Sequence, residues 1–206
     1  MRSLGARGSL ISVIFLLSSC VVYSPPHSLA AEFSAKEIGR IYILPVADLR
    51  TDKSVQTDRA VIDAEMATDF SGTGDLSSLL DDRGYGDTTF VDPGASRPVT
   101  FEDLANPSGD RIGQLGPSDA RWLLQIALLS LVEQRGHTGF VRARCSGHLF
   151  DKQIGMPVWV HGLGVEVINT WGPALRVEHV RETLNHCARE LIEHFPPRVF
   201  HLIKRR

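Results

Sequence analysis

The sequence predicts an α/β fold, a sandwich of two or three layers in which helices pack on a mixed sheet of about five strands. The predicted elements follow the order strand, helix, strand, helix, three strands, helix. The run 121–132 is apolar at both odd and even positions, which is typical of a central strand covered on two faces. The stretch 177–195 has the apolar period of an amphipathic helix and is followed by two prolines.

The first half of the domain predicts two strands, each followed by helical sequence. Residues 38–46 form a buried type of strand that Pro45 ends. Asp58 can cap a helix whose apolar residues Ile62, Met66 and Phe70 are four apart, and Gly-rich sequence at 71–74 interrupts that helix. Helical sequence resumes at 76–80, a short strand covers 88–91, and residues 101–115 form a weak helical stretch damaged by a proline and a glycine.

The second half predicts an antiparallel meander that a helix covers. Residues 140–151 alternate between an apolar set and a polar set, which predicts a strand with two different faces. The apolar set is Val141, Ala143, Cys145, Gly147 and Leu149, and the polar set is Arg142, Arg144, Ser146 and His148. A hairpin turn at 151–155 leads into a return strand at 157–167.

The first nineteen residues have the features of a secretory signal peptide. Arg2 and Arg7 precede an apolar stretch at 10–17, which is too short to span a bilayer as a helix. The next residues, Leu17-Ser18-Ser19-Cys20, resemble the bacterial lipobox, in which the cysteine is acylated and the chain is cut before it. The alternative is an ordinary signal peptide that is cut after Ala30 or Ala31.

Acylation of Cys20 would make it the first residue of a mature protein of 187 residues. The resemblance implies a diacylglyceryl thioether and an N-acyl chain, which together anchor a protein firmly in a membrane. Val21 follows the cysteine, and by the bacterial sorting rule a residue other than aspartate there favours the outer membrane. We expect residues 20–36 to be a tether, 37–197 to be the domain, and 198–206 to be a basic tail.

The composition argues against several classes of protein. Twenty-two basic and 24 acidic residues give a net charge of −2, so the bulk charge does not point to nucleic acid. Three cysteines are too few for a disulfide scaffold or a four-thiolate zinc site. Apart from the lipid on Cys20, we expect no cofactor and no metal.

The histidines and the remaining cysteines each allow two interpretations. His179, His186 and His194 are seven and eight residues apart, which fits the solvated flank of a helix better than the four-residue spacing of a metal pair. Cys145 and Cys187 both lie on predicted core faces. They are either free core cysteines or a disulfide, which the periplasm permits if their Cα atoms come within about 7 Å.

No nucleophile elbow, phosphate-binding loop or dinucleotide fingerprint follows a predicted strand, so we expect no enzymatic activity. Arg142 and Arg144 share one strand face, with Trp159 on the adjoining strand. This surface could contact an anionic polymer or a neighbouring subunit, or it could be an ordinary exposed strand face.

Four short stretches resemble a group of bacterial lipoproteins. They are Ile41-Tyr42-Ile43-Leu44-Pro45-Val46-Ala47-Asp48, Leu79-Leu80-Asp81-Asp82-Arg83-Gly84-Tyr85, Gly116-Pro117-Ser118-Asp119-Ala120, and Leu149-Phe150-Asp151-Lys152-Gln153-Ile154-Gly155. The group comprises periplasmic lipoproteins related to the curli-secretion lipoprotein, the Pel polysaccharide-export lipoprotein and the ABC-transport auxiliary lipoproteins.

The resemblance implies a non-enzymatic accessory protein of export or envelope assembly, anchored by lipid in the outer membrane and acting through protein contacts. Members of this group often form rings, and anchoring in one surface favours self-association, so a homo-oligomer is an expected partner arrangement. The alternatives are a lipid-anchored periplasmic hydrolase, which needs a convergent polar cleft, and a monomeric ligand-binding module, which needs a deep apolar pocket.

Overall fold

The computed structural model describes residues 20–23, 28–31, 33–52, 74–134, 139–169 and 176–198. Its strands are β1 (Cys20–Tyr23), β2 (Ser28–Leu29), β3 (Ile41–Ile43), β4 (Ala47–Asp48), β5 (Thr88–Phe90), β6 (Trp122–Gln134), β7 (Gly139–Asp151) and β8 (Met156–Asn169). Its helices are α1 (Gly74–Asp82), α2 (Phe101–Ala105), α3 (Gly109–Gly113) and α4 (Arg176–Glu193), with a 3₁₀ turn at Pro93–Ala95.

The described residues form a mixed sheet of eight strands, in the order β1-β8-β7-β6-β3-β5, with β2 beside β8 and β4 beside β6. The pairs of β3 with β5 and β6, and of β4 with β6, are parallel, whereas β6, β7 and β8 form an antiparallel meander. The predicted α/β class and mixed sheet are confirmed. The predicted number of about five strands is too low, because the short strands β1, β2 and β4 carry little sequence signal.

Helices cover both faces of the sheet, so the sandwich has three layers. On the first face, which we call the helix face, α1 and α4 contribute Leu80, Leu184 and Leu191 to a core shared with Leu124 of β6. On the opposite face, Ile112 of α3 packs in a second core. The other buried members of that second core are Leu44, Ala47, Val91, Val99, Leu115, Ala120, Leu123, Ala127 and Phe150.

The predicted weak helical stretch 101–115 forms two short helices, α2 and α3, which are separated around Pro107. Thr100 and Asp103 cap α2 reciprocally, each side chain accepting a backbone N–H of the other residue. The guanidinium of Arg97 donates two hydrogen bonds to Asp103, at 2.7 and 2.8 Å. These bonds, together with those from Thr100, hold the pKa of Asp103 well below its usual range, although burial opposes the shift.

The described residues of the segment 20–36, which was expected to be a tether, instead include two strands of the sheet. Strands β1 and β2 pair antiparallel with β8, and the N–H of Ala30 donates to the carbonyl oxygen of Val158 at 2.9 Å. Phe33 is half-buried against the core. The outer edge of β8 would otherwise expose a row of unpaired backbone groups, and this segment satisfies part of that row.

Several sequence predictions fall outside the described residues. These are the signal peptide at 1–19, the helix predicted from Asp58, and residues 199–206 of the basic tail. The first residue of the predicted tail, Arg198, is attached to the domain, since its N–H donates to the carbonyl oxygen of Arg83 at 2.9 Å. In the described part of the chain, no helix is both long enough and apolar enough to cross a membrane.

Candidate functional site

The register of the meander decides which side chains share a face. Cys145 lies opposite Leu163 and Ala143 lies opposite Val165, and these buried residues point to the helix face. Arg142 lies opposite Glu166 and Arg144 lies opposite Gly164. Because successive residues of a strand alternate between faces, both arginines are on the opposite face, which we call the groove face. Both are exposed there.

The groove face carries a groove of about 570 Å³. It is lined by Leu129, Arg142, Arg144, Cys145, Gly162, Leu163 and Gly164. On β6, Ala127 is the last fully buried residue of the second core, which α3 and the segments around it form, and the half-buried Leu129 packs against that core. A register shift between Leu128 and Ser130 leaves Leu129 unpaired with β7 at this boundary, so the groove begins where the covering core stops.

The two arginines have different environments. The Arg142 Nε donates to the Glu166 Oε2 at 2.7 Å, its Nη2 contacts the same oxygen, and its guanidinium lies 5.0 Å from the centre of the Phe140 ring. The guanidinium of Arg144 makes no hydrogen bond or ion pair with any residue that the structure describes. The two arginines and Glu166 together carry one net positive charge, and Arg144 provides the accessible cation.

Trp159 is not part of this surface, so the predicted interaction surface of Arg142, Arg144 and Trp159 is wrong in its third member. Trp159 lies opposite Leu149 and is fully buried on the helix face. Its ring meets that of Phe195 edge to face, with the ring centres 4.8 Å apart. The reason is a register shift between Leu149 and Phe150, which moves Trp159 from the groove face to the helix face.

A serine–histidine pair lies next to the groove but is not accessible. The Nε2 of His148 and the Oγ of Ser146 are 3.1 Å apart, and both side chains are buried. The Nδ1 of His148 has no hydrogen-bond partner in the described structure, so no carboxylate orients the ring. Burial lowers the pKa of His148 to about 4. A catalytic dyad needs an accessible nucleophile and an oriented base, and this pair meets neither condition.

On the helix face, Cys145 of β7 and Cys187 of α4 form a disulfide, with Cα atoms 6.2 Å apart. The bond joins residues 42 apart in sequence, and it fastens the covering helix to the strand beneath it. The sequence left open whether these cysteines pair. The structure brings both together in the buried core between α4 and the sheet.

The histidines are spread through the domain. His161 is buried and stacks on the half-buried His194, the residue just after α4, with ring centres 4.5 Å apart, so His194 is not on a solvated flank. His186 is half-buried, and its Nε2 lies 4.0 Å from the Oε1 of Glu182. His137 and the side chain of His179 lie outside the described part of the chain. Within that part, no three histidine, cysteine or acidic side chains are placed to hold a metal ion.

Cys20, the predicted lipid attachment residue, begins β1 and lies opposite Val167 in the register. Tyr23, at the other end of β1, lies opposite Gly164, which lines the groove. Cys20 is therefore on the edge strand that adjoins the groove, three residues before Tyr23, which lies beside the groove floor.

Sequence reasoning found both arginines and both cysteines of the domain, but it missed Glu166 and the glycines that form the groove floor. Glu166 follows Val165 in the predicted return strand, and an arginine–glutamate pair across neighbouring strands is a common stabilising arrangement. Recognising this pair needs the register, which the sequence did not supply.

No protein-family model matches the chain, and no curated protein matches it in sequence. Among solved structures, the chain is similar to a PelC dodecamer from Paraburkholderia phytofirmans, with 12% identity, a TM-score of 0.47, and coverage of 88% of this chain and 100% of the other.

A hypothetical protein, CT253, from Chlamydia trachomatis has 13% identity and a TM-score of 0.43, and the match covers 76% of this chain and 94% of the other. The lipoprotein GNA1162 from Neisseria meningitidis has 8% identity and a TM-score of 0.34, with coverage of 72% and 96%. TM-scores below 0.5 at such low identities carry no conclusion about this chain.

Proposed function

We propose that this chain is a lipid-anchored accessory protein of the bacterial envelope, which serves export or envelope assembly through contacts of its surface and not through catalysis. The observation that carries the proposal is the lipobox ending at Cys20, after a signal sequence of the correct design. Cys20 is also the first residue of β1, so a chain cut before it would begin at the edge of the sheet. The outer membrane is the proposed location, because Val21 follows the cysteine.

The groove face supports a contact role more than a catalytic one. Its accessible groups are the guanidinium of Arg144 and the paired guanidinium of Arg142, whereas the neighbouring Ser146 and His148 are buried. An open sheet face on which the guanidinium of Arg144 is accessible suits recognition of an anionic group. The described residues of this face offer a substrate no oriented nucleophile and base.

Neighbouring copies of the chain are one proposed class of partner. Lipid anchors would confine the domains to one leaflet in one orientation, which raises their effective concentration at a common edge.

Arg142 already pairs with Glu166 inside the domain, so Arg144→Glu alone is the charge reversal that tests this surface. Mass photometry in detergent should find a wild-type oligomer. A wild type that stays monomeric, with no envelope protein cross-linked to it, would favour the monomeric ligand-binding module.

Labelling with radioactive palmitate in a bacterial host tests the anchor. The wild type should incorporate label and fractionate with the outer membrane, and Cys20→Ala should lose the label and become soluble in the periplasm. The matched control is Cys145→Ala/Cys187→Ala, which removes the other two cysteines and should keep the label. Equal labelling of wild type and Cys20→Ala would refute the anchor.

A further inference from the structure

The groove lies next to the point where the proposed lipid anchor leaves the domain. In the antiparallel pairing of β1 with β8, Cys20 lies opposite Val167 and Tyr23 lies opposite Gly164. Three residues along a strand and one strand spacing separate Cys20 from Gly164, which is about 11 Å. Acyl chains on Cys20 would therefore hold this end of the groove at the membrane surface.

The groove carries charge of the sign that a phospholipid surface attracts. Arg144 is exposed and unpaired among the described residues, and Arg142 keeps donors beyond those it gives to Glu166. A guanidinium matches a phosphate with two parallel hydrogen bonds, and it loses less hydration on binding than an ammonium does. Elsewhere in the described structure, Arg97 forms an ion pair with Asp103, and Arg121 forms one with Asp151.

The floor of the groove leaves space for a group to approach the backbone. A Cβ added at Gly162 would meet only the carbonyl oxygen of Cys145, at 3.8 Å. A Cβ at Gly147, on the helix face, would instead lie 2.8 Å from two ring atoms of Trp159. Packing inside the domain therefore requires glycine at 147 but not at 162, and a larger residue at 162 would fill the groove without disturbing the core.

We propose that this groove binds the phosphate headgroup of an anionic phospholipid in the leaflet that holds the acyl chains of Cys20, with Arg144 as the main phosphate ligand. The proposal rests on the lipid anchor of the proposed function. The groove gives the anchored domain a second, polar attachment to the membrane, which fixes how its sheet is oriented. A groove volume of about 570 Å³ accommodates a headgroup with its phosphate.

The test uses the unacylated Cys20→Ala protein, so that groove binding is measured apart from the anchor. Binding to vesicles of pure phosphatidylcholine is compared at low salt with binding to vesicles that contain phosphatidylglycerol. Titrations with short-chain phosphatidylglycerol and with inorganic phosphate are followed by NMR. We expect saturable binding of the short-chain lipid and retention on the anionic vesicles. Arg144→Gln in the same background should weaken the binding at least fivefold, and Gly162→Leu should abolish it while circular dichroism stays unchanged. Arg40→Gln is the matched control, because Arg40 is exposed and lies just before β3, which two strands separate from β8; this variant should bind as the parent does.

Three results would overturn the proposal. Inorganic phosphate that binds as tightly as the lipid would make the groove a site for free anions. Binding that survives both Arg144→Gln and Gly162→Leu would place the lipid elsewhere. An absence of lipid binding, combined with an Arg144-dependent cross-link to an envelope protein, would make the groove a protein interface. A wild type that takes up no palmitate, while the Cys20→Ala protein still binds the lipid, would refute the anchor alone, so the two failures are distinguishable.

Discussion

Gly147 is the position at which one methyl group has the clearest expected cost. A Cβ there would lie 2.8 Å from both Cη2 and Cζ3 of Trp159, and a real Cβ essentially never approaches another atom so closely. The indole ring cannot easily yield, because it is fully buried and packs edge to face on Phe195. Overpacking of this kind costs about 1–3 kcal/mol. The smaller conformational entropy of unfolded alanine offsets about 0.4–1 kcal/mol of that cost.

We therefore expect Gly147→Ala to lower the free energy of unfolding by about 1–2 kcal/mol, and Tm by about 2–8 °C for a domain of this size. Gly162→Ala is the matched control, since it lies in the adjoining strand and its Cβ would make one ordinary contact at 3.8 Å. The control should melt at or slightly above the wild-type Tm. Thermal unfolding followed by circular dichroism measures all three proteins. A Gly147→Ala protein that is as stable as the control would refute the packing of Trp159 beneath β7.

The remaining predictions concern the disulfide, the central strand and a buried histidine. Replacing Cys145 and Cys187 together with alanine should lower the free energy of unfolding in urea by about 2–4 kcal/mol, because the bond closes a long loop. Reduction of the wild type should have a similar effect. An unchanged urea midpoint in both cases would argue against the bond. Leu124→Ala should cost about 2–5 kcal/mol, because Leu124 is fully buried in the central strand, and a native Tm would contradict that placement. The pKa of His148 is about 4 in the folded protein, which is below its value in the unfolded chain. The unfolded chain therefore binds more protons between about pH 6.5 and 4. Stability falls as the pH decreases through that window. Between pH 7 and pH 5, the free energy of unfolding of His148→Gln should fall by about 1–2 kcal/mol less than that of the wild type. An equal fall in both proteins would show that other groups titrate in this range.

The strongly patterned elements were predictable from the sequence. The run 121–132 became β6, the alternating residues of 140–151 became β7 with the predicted faces, and the stretch 177–195 became α4 with its apolar side on the sheet. In each case a period of 2 or 3.6, or an unbroken apolar run, extends over ten or more residues. Patterns of that length specify an element without any tertiary information.

The position of Trp159 could not be predicted, because a single bulge decides it. The hairpin pairs Asp151 with Met156, and counting back from that pair without a bulge would place Trp159 opposite His148, on the groove face. The shift between Leu149 and Phe150 adds one residue to β8 and reverses the face of every residue beyond it. Pro157, which has no N–H to give to the ladder, is next to this shift.

The segment after Cys20 was misread for a different reason. Its short apolar pieces and Pro25-Pro26 are compatible both with a free spacer and with interrupted edge strands. The exposed edge of β8 decides between them, because its backbone groups are partners that the local sequence does not reveal. The pairing of Arg142 with Glu166 was missed on the same ground, since it depends on the register of two strands.

The proposed function requires that Cys20 is the acylated first residue of an envelope protein. Mass spectrometry of the N-terminal peptide, prepared from the full chain after expression in a bacterial host and purification from the membrane fraction, tests it most directly. We expect a peptide that begins at Cys20 and carries a diacylglyceryl thioether and an N-acyl chain. An unmodified N-terminus at Ala31 or Glu32, or a chain that retains residues 1–19, would contradict it.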